Sequence, residues 1–273
     1  MNKGIFYALL AFFFFALTTI VQKPIVSQMH PSLMMLLAGA VMFSTFTVLN
    51  EKKQHMAFTH FVRVALLGFG IPIFLIITGF INTTGTIGGL LVQFQSVATV
   101  IFAVLILNET ISVMGLYAIA LALGGGILLI VENLTSTIVF GDVLVLIGAI
   151  GMGYGYVETK RLLKEYSPYT INQFKGLGVF IVGAIVAPFV KQSVTWTPLL
   201  IMYLVLFIIT GYVLAHMFLI RAAMLIPAWQ VGLASQTFPI FVLLLGLTFL
   251  GDVLTPLQWV GAGLIIISGL FYD

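Results

Sequence analysis

Three glutamines stand where apolar helices would ordinarily carry leucine or valine. Gln93 and Gln95 lie in LLVQFQSVATVIFAVLILNE, residues 90–109, and Gln236 lies in ASQTFP, residues 234–239. A primary amide brings two donors and an acceptor that hydrocarbon cannot satisfy, so at membrane depth it faces protein or a wet cavity. The chemistry open to such groups is recognition of a zwitterionic or polar solute by neutral hydrogen bonds. The structural alternative is interhelical packing, worth about 0.6–2 kcal/mol per contact. Residues 93 and 95 are two apart, so on a regular helix they cannot share one narrow face, which leaves the packing role open for one of them.

Tyr154 and Tyr156 in GMGYGYVET, Thr18 and Thr19, and Tyr212 with His216 in GYVLAHMFLIR add polar tips to apolar helices. Tyr154 is a further cavity candidate, as is Trp229 at the start of a span beside Gln230; both also suit an interfacial aromatic belt. His216 titrates near neutrality and is a candidate for proton coupling or gating, against a plain packing role. Pro239 follows SQTF directly and is expected to kink its helix beside Gln236, freeing a carbonyl at depth and offering a hinge. Glu109 and Asp252 each close an apolar run and read as helix-end capping or interfacial pairing groups. Glu158, close to Lys160 and Arg161, reads as a salt-bridged rim.

The elements holding these residues are set by composition. Of the 273 residues 61% are apolar and 7% charged, and the mean hydropathy is +1.21, too few ionisable groups to coat a soluble globule of this size. Apolar runs near 20 residues recur with short polar breaks, the spacing a hydrocarbon core imposes on helices. Ten spans are expected, at about 4–22, 33–50, 62–81, 86–107, 112–131, 139–158, 171–190, 198–219, 228–250 and 256–272. The runs lack the alternation of a lumen-lined barrel strand. The first run is expected to be retained as a helix and not cleaved as a signal peptide.

With the N-terminus inside, Lys3, Lys52, Lys53, Arg63, Lys160, Arg161, Lys164 and Arg221 fall on the cytoplasmic side, and Lys23 and Lys191 outside. Lys175, one turn into its span, is expected to snorkel to the same inner side. Both termini are therefore expected in the cytoplasm. The net charge of +3 is spread over separate loops and forms no nucleic-acid footprint. There is no phosphate loop, no HExxH pair, no clustered metal-ligand set and no cysteine, so no enzyme, metal or cofactor is expected.

The chain also matches itself. A shift of 137 pairs Gly4 with Gly141, Lys23 with Lys160 and Pro31 with Pro168. A shift of 143 pairs Gly89 with Gly232, Gln93 with Gln236, Glu109 with Asp252 and Gly126 with Gly269. Each copy holds five spans, and because five is odd the second copy enters the membrane from the opposite side. The expected architecture is an all-α polytopic membrane protein of ten transmembrane helices in two inverted five-helix repeats, residues 1–134 and 135–273.

The paired endings VLILNETISVMGLYAIALALGGGILLI (104–130) and LTFLGDVLTPLQWVGAGLIIISGLF (247–271) resemble those of EamA-type permeases of the drug/metabolite transporter superfamily. The shared pattern is a carboxylate after an apolar helix (Glu109, Asp252), a short turn, a small residue nine positions on (Ala118, Gly261) and glycine at seventeen (Gly126, Gly269). Asp252 stands where glutamate is usual, and Ser96 stands opposite Pro239 where proline is common. The resemblance implies an alternating-access carrier, often an exporter of amino acids or other small polar metabolites, with a central cavity between the halves. The expected partners are a small-molecule substrate and the lipid bilayer, in a cell (inner) membrane, as a monomer or homodimer. A shortage of lysine and arginine at the midplane argues for uncharged or zwitterionic solutes over phosphate esters. A non-transporting assembly or sensory protein retaining the carrier fold is the alternative.

Overall fold

In lipid a backbone must satisfy its own polar groups, and this chain does so with helices. A computed structural model describes residues 2–82, 91–128, 139–190, 193–249 and 255–268. Helix α1 is Lys3–Val26, opened by the Asn2 side chain accepting from the Gly4 amide at 2.9 Å. Helix α2 is Pro31–Leu49 and α7 is Pro168–Val186. Both begin with proline, whose missing N–H costs nothing in a first turn, and with a side-chain cap, His30 and Ser167 respectively. Helix α5 is Val113–Leu128, α6 is Phe140–Leu162 and α10 is Pro256–Ser268.

Four helices are irregular. Helix α3 runs from Phe58–Phe61 through a π segment, Val62–Gly70, into Ile71–Asn82. Helix α8 does the same, Pro198–Phe207, π Ile208–Leu214 and Ala215–Leu225. Helix α4, Phe94–Leu107, follows a turn at Gln93 that separates it from helical residues 91–92. Helix α9 is broken into Ala228–Ser235 and Phe238–Phe249 by a turn at Gln236 and Thr237. Such π segments and interruptions are uncommon and gather at functional sites.

Among the described residues seven helices are long and apolar enough to cross a membrane: Lys3–Val26, Pro31–Leu49, Phe58–Ile81, Phe140–Leu162, Pro168–Phe189, Pro198–Leu225 and Ala228–Gly246. The other three, Phe94–Leu107, Val113–Leu128 and Pro256–Ser268, are apolar but shorter. The expected spans at these places, 86–107, 112–131 and 256–272, run into residues outside the described ranges, as does the boundary between residues 134 and 135. Large apolar side chains such as Leu105, Leu116, Ile185 and Phe189 point outward, as lipid-facing positions do.

Packing runs between the two halves of the chain. Helix α2 lies along α7, α3 against α6, α1 against α8, α5 against α10, and α4 against α6 and the first piece of α9. The α3–α6 crossing is backbone on backbone: a Cβ on Gly155 would collide with the carbonyl of Gly68. Gly68 lies in the π segment, and Pro72, four residues on, has no amide to give its carbonyl. At the α1–α8 crossing Gly211 meets Thr18, whose hydroxyl shares a 2.8 Å hydrogen bond with that of Thr210.

Candidate substrate cavity

The irregular helices surround a cavity of about 190 Å³. At about 30 Å³ per water this is room for roughly six waters, small beside the usual range for drug-sized ligands. The C-terminal halves of α1 and α3 and the start of α4 form one end, where Thr19, Gln22 and Val92 are half-buried. Buried side chains close the other end: Phe69 from the α3 π segment, Tyr156 from α6 and His216 from α8.

Gln93 and Gln95 both line this cavity. The expectation that they could not share a face assumed a continuous helix; the turn at Gln93 removes that constraint. The Gln95 amide donates to the Tyr156 hydroxyl at 3.1 Å, while the Gln93 side chain has no hydrogen-bond partner among the described residues. Gln236 is not a lining residue. Its amide nitrogen donates to the Ser96 hydroxyl, which itself donates to the Gln93 carbonyl at 2.9 Å. The Gln236 Oε1, beside Gly126, has no partner.

Tyr154 is turned away from the cavity. Met152 and Tyr156, four apart on α6, share the lining face, and Tyr154 between them points to the far side and packs edge-on to Phe102, with ring centroids 5.6 Å apart. Trp229 is also elsewhere: it is 4% exposed, and its ring lies against Gly115 of α5. Pro239 sits in the second piece of α9, and the helix breaks just ahead of it, at Gln236 and Thr237.

His216 lines the cavity floor, edge-on to Phe15 at 5.2 Å and to Phe69 at 4.5 Å, with its Nδ1 unpartnered. Tyr212, one turn earlier, also lines the cavity, and its hydroxyl has no hydrogen-bond partner among the described residues. The cavity can therefore offer amide, phenol and imidazole hydrogen bonds within aromatic walls.

Beyond the floor, charged side chains tie the helix ends together. Glu109 accepts from the backbone amides of Ala228 and Trp229 at 2.9 and 3.1 Å, capping α9 from the first half of the chain. Lys160 donates to the carbonyls of Ala223 and Ile226 at 2.5 and 2.8 Å, capping the end of α8. Glu158 pairs with Arg161 at 3.1 Å. Asp252 lies outside the described residues. Lys175 does not snorkel: it is 2% exposed, inside the bundle, with its Nζ 5.5 Å from the centroid of the Phe69 ring. Reading it from its distance to the helix start ignored which way the helix face turns; a lone cation within NQFKGLG was the available signal. Nothing in the sequence marks the Ser96 hydroxyl as the partner of Gln236.

A solved structure described only as the crystal structure of a protein matches with a TM-score of 0.83, over 99% of this chain and 95% of that one, at 14% sequence identity. At that identity it shows a shared fold. The comparison with curated proteins gives no match. The family model for the EamA-like transporter family matches twice, over residues 2–131 and 139–272. With two copies of that pattern spanning nearly all of its length, the chain belongs to the EamA-like transporter family, within the drug/metabolite transporter superfamily.

Proposed function

We propose that this protein is an alternating-access carrier of amino acids or other small polar metabolites, most simply an exporter in the cell (inner) membrane with both termini cytoplasmic. Its working units are two inverted five-helix repeats, 1–134 and 135–273, completing ten transmembrane helices. Packing supports that reading, because partners exchange under the sequence shifts: α1 with α8 answers α6 with α3. The close pair Gly68 and Gly155 answers Gly211 and Thr18 at shifts of 143 and 137. Both third helices of the repeats carry a π segment.

One observation carries the proposal. Gln93 and Gln236, equivalent in the repeats, are in opposite conditions, one facing a cavity at one end of the bundle and the other tied off in packing. In a carrier with inverted repeats, exchanging the conformations of the halves exchanges those conditions and moves the opening to the other face. His216, with its free Nδ1 on the floor, is the proposed site of proton coupling.

The test is flux of labelled amino acids, nucleosides and small organic acids into proteoliposomes, with and without a pH gradient. Saturable flux that Gln93→Ala weakens without loss of folded protein supports the carrier. Absence of saturable flux for every solute under both conditions overturns it in favour of a non-transporting role.

A further inference from the structure

Lys175 is the one lysine that the described structure encloses in the bundle without an oxygen partner. Its neighbour in the same chamber, Lys160, is satisfied by two carbonyls. The buried carboxylates that are described are engaged elsewhere, Glu158 with Arg161 and Asp142 with the Val139 amide at 2.8 Å, and the half-buried Glu109 is held on the start of α9. What Lys175 touches is the face of Phe69. A cation–π contact offsets only part of the desolvation of an ammonium group, so Lys175 holds its charge stably when an anion stands beside it and otherwise tends to shed its proton.

The surroundings fit an anion that arrives with the cycle. Lys175 lines a second, nearly collapsed chamber of about 10 Å³ between α6, α7, α8 and α9, together with Lys160, Thr159 and Tyr156. Tyr156 lines both chambers, and its hydroxyl, having accepted from Gln95, retains its own proton to donate. Phe69 is the partition: it borders the main cavity on one side and carries Lys175 on the other. Two cations and a phenol therefore converge on a space that holds at most about one water in this state.

We propose that Lys175 is the counter-charge for a carboxylate on the transported solute, which reaches it as Phe69 yields and the chamber between α6, α7, α8 and α9 opens. The proposal rests on the carrier reading and deepens it. The solute class is a small carboxylate with an apolar body, because the main cavity presents aromatic walls and Lys175, expected at the surface, lies inside the bundle.

Matched acids and amides test it. Proteoliposomes of the full chain are given labelled leucine, leucinamide, 4-methylpentanoate and 4-methylpentanamide, with protein-free vesicles correcting for leak. Wild type is expected to carry at least one acid over its amide by roughly 30-fold or more in kcat/KM, the lower range for a buried charge pair. Lys175→Gln is expected to erase that preference and Lys175→Arg to retain most of it. Movement of leucine alone assigns a zwitterion, and of 4-methylpentanoate alone a simple acid. Amides moving as well as acids, or Lys175→Gln keeping the preference, overturns the inference and leaves the carrier reading intact. If none of the four moves, the inference falls while carriers of other solutes are judged by the wider panel. Should Lys175→Gln fail to fold, the wild-type acid-to-amide ratio decides alone.

Discussion

Helices α4 and α9 occupy equivalent places in the two repeats, and each is interrupted at its glutamine, but the interruptions are built from different chemistry. In α9 the break precedes Pro239, which cannot donate to the helix ladder, so the open turn is set by covalent structure. In α4 the equivalent position is Ser96. Its amide bonds to the Gln93 carbonyl at 3.1 Å, its hydroxyl bonds to the same carbonyl at 2.9 Å, and that hydroxyl also accepts from Gln236. One interruption is fixed, and the other is held by hydrogen bonds that reach across to its counterpart. The difference teaches that equivalent residues in duplicated halves need not make equivalent contacts in one state of the molecule. Ser96 is the joint between them, its hydroxyl bonding both the Gln93 carbonyl and the Gln236 amide.

The largest effect is expected from giving α4 the chemistry of α9. Ser96→Pro removes the amide, the hydroxyl and the partner of the buried Gln236 nitrogen, and should lower stability by about 1–3 kcal/mol, read as a drop in detergent melting temperature. Adding Gln236→Leu should recover most of the loss, since an apolar pair leaves nothing unsatisfied. A double variant no better than Ser96→Pro alone would break the assignment of Ser96 as the joint. Gln236→Ala by itself should cost about 0.6–1.7 kcal/mol, the span measured for polar contacts between membrane helices.

Gln93→Ala is expected to behave in the opposite way. With no protein partner for its amide, the variant should melt within about 0.5 kcal/mol of wild type, while the KM for the transported solute rises about tenfold, the worth of roughly 1.4 kcal/mol. Equal destabilisation by Gln93→Ala and Gln236→Ala would erase the contrast between the two breaks.

The smallest effect sharpens the comparison at another equivalent pair, the caps of α2 and α7. His30 accepts from the Ser32 amide at 3.2 Å through Nδ1, whereas Ser167 serves α7. Partial burial holds the His30 imidazole below its ordinary 6.5. The unfolded chain therefore binds the proton first as pH falls through about 6.5, and stability declines from there down to the folded pKa. His30→Ser, which copies the other repeat, should flatten that part of the melting-temperature profile between pH 7 and 5. An unchanged slope would remove His30 as its source.

Legibility in the sequence followed physical range. Apolar run length showed the helices because bilayer thickness acts on whole segments, and the glutamines stood out because an amide is costly in hydrocarbon wherever it points. Rotation was not legible. Tyr154 and Tyr156 differ by two residues and by which side of α6 they occupy, and only the partner helices decide between them. The α9 break is visible through Pro239, but the α4 break is held by two local bonds from Ser96 to Gln93 and one tertiary bond from Gln236, a pattern that leaves no mark of its own in the sequence. Lys175 was placed by its distance from a helix end, a measure blind to whether its face meets lipid or the interior.

The grip of Glu109 on the start of α9 has a consequence for biosynthesis. Its two amide partners lie 119 and 120 residues further along the chain, and at about 5–20 residues per second they leave the ribosome some 6–24 s after Glu109 does. Through that interval the carboxylate must stay hydrated at the headgroup level, so the link from α4 to α5 is pinned at the bilayer surface as the second half is inserted. The arrival of α9 then releases that water. A Glu109→Cys chain halted before residue 228 should react faster with a membrane-impermeant thiol reagent than one released beyond it, where position 109 is half-buried.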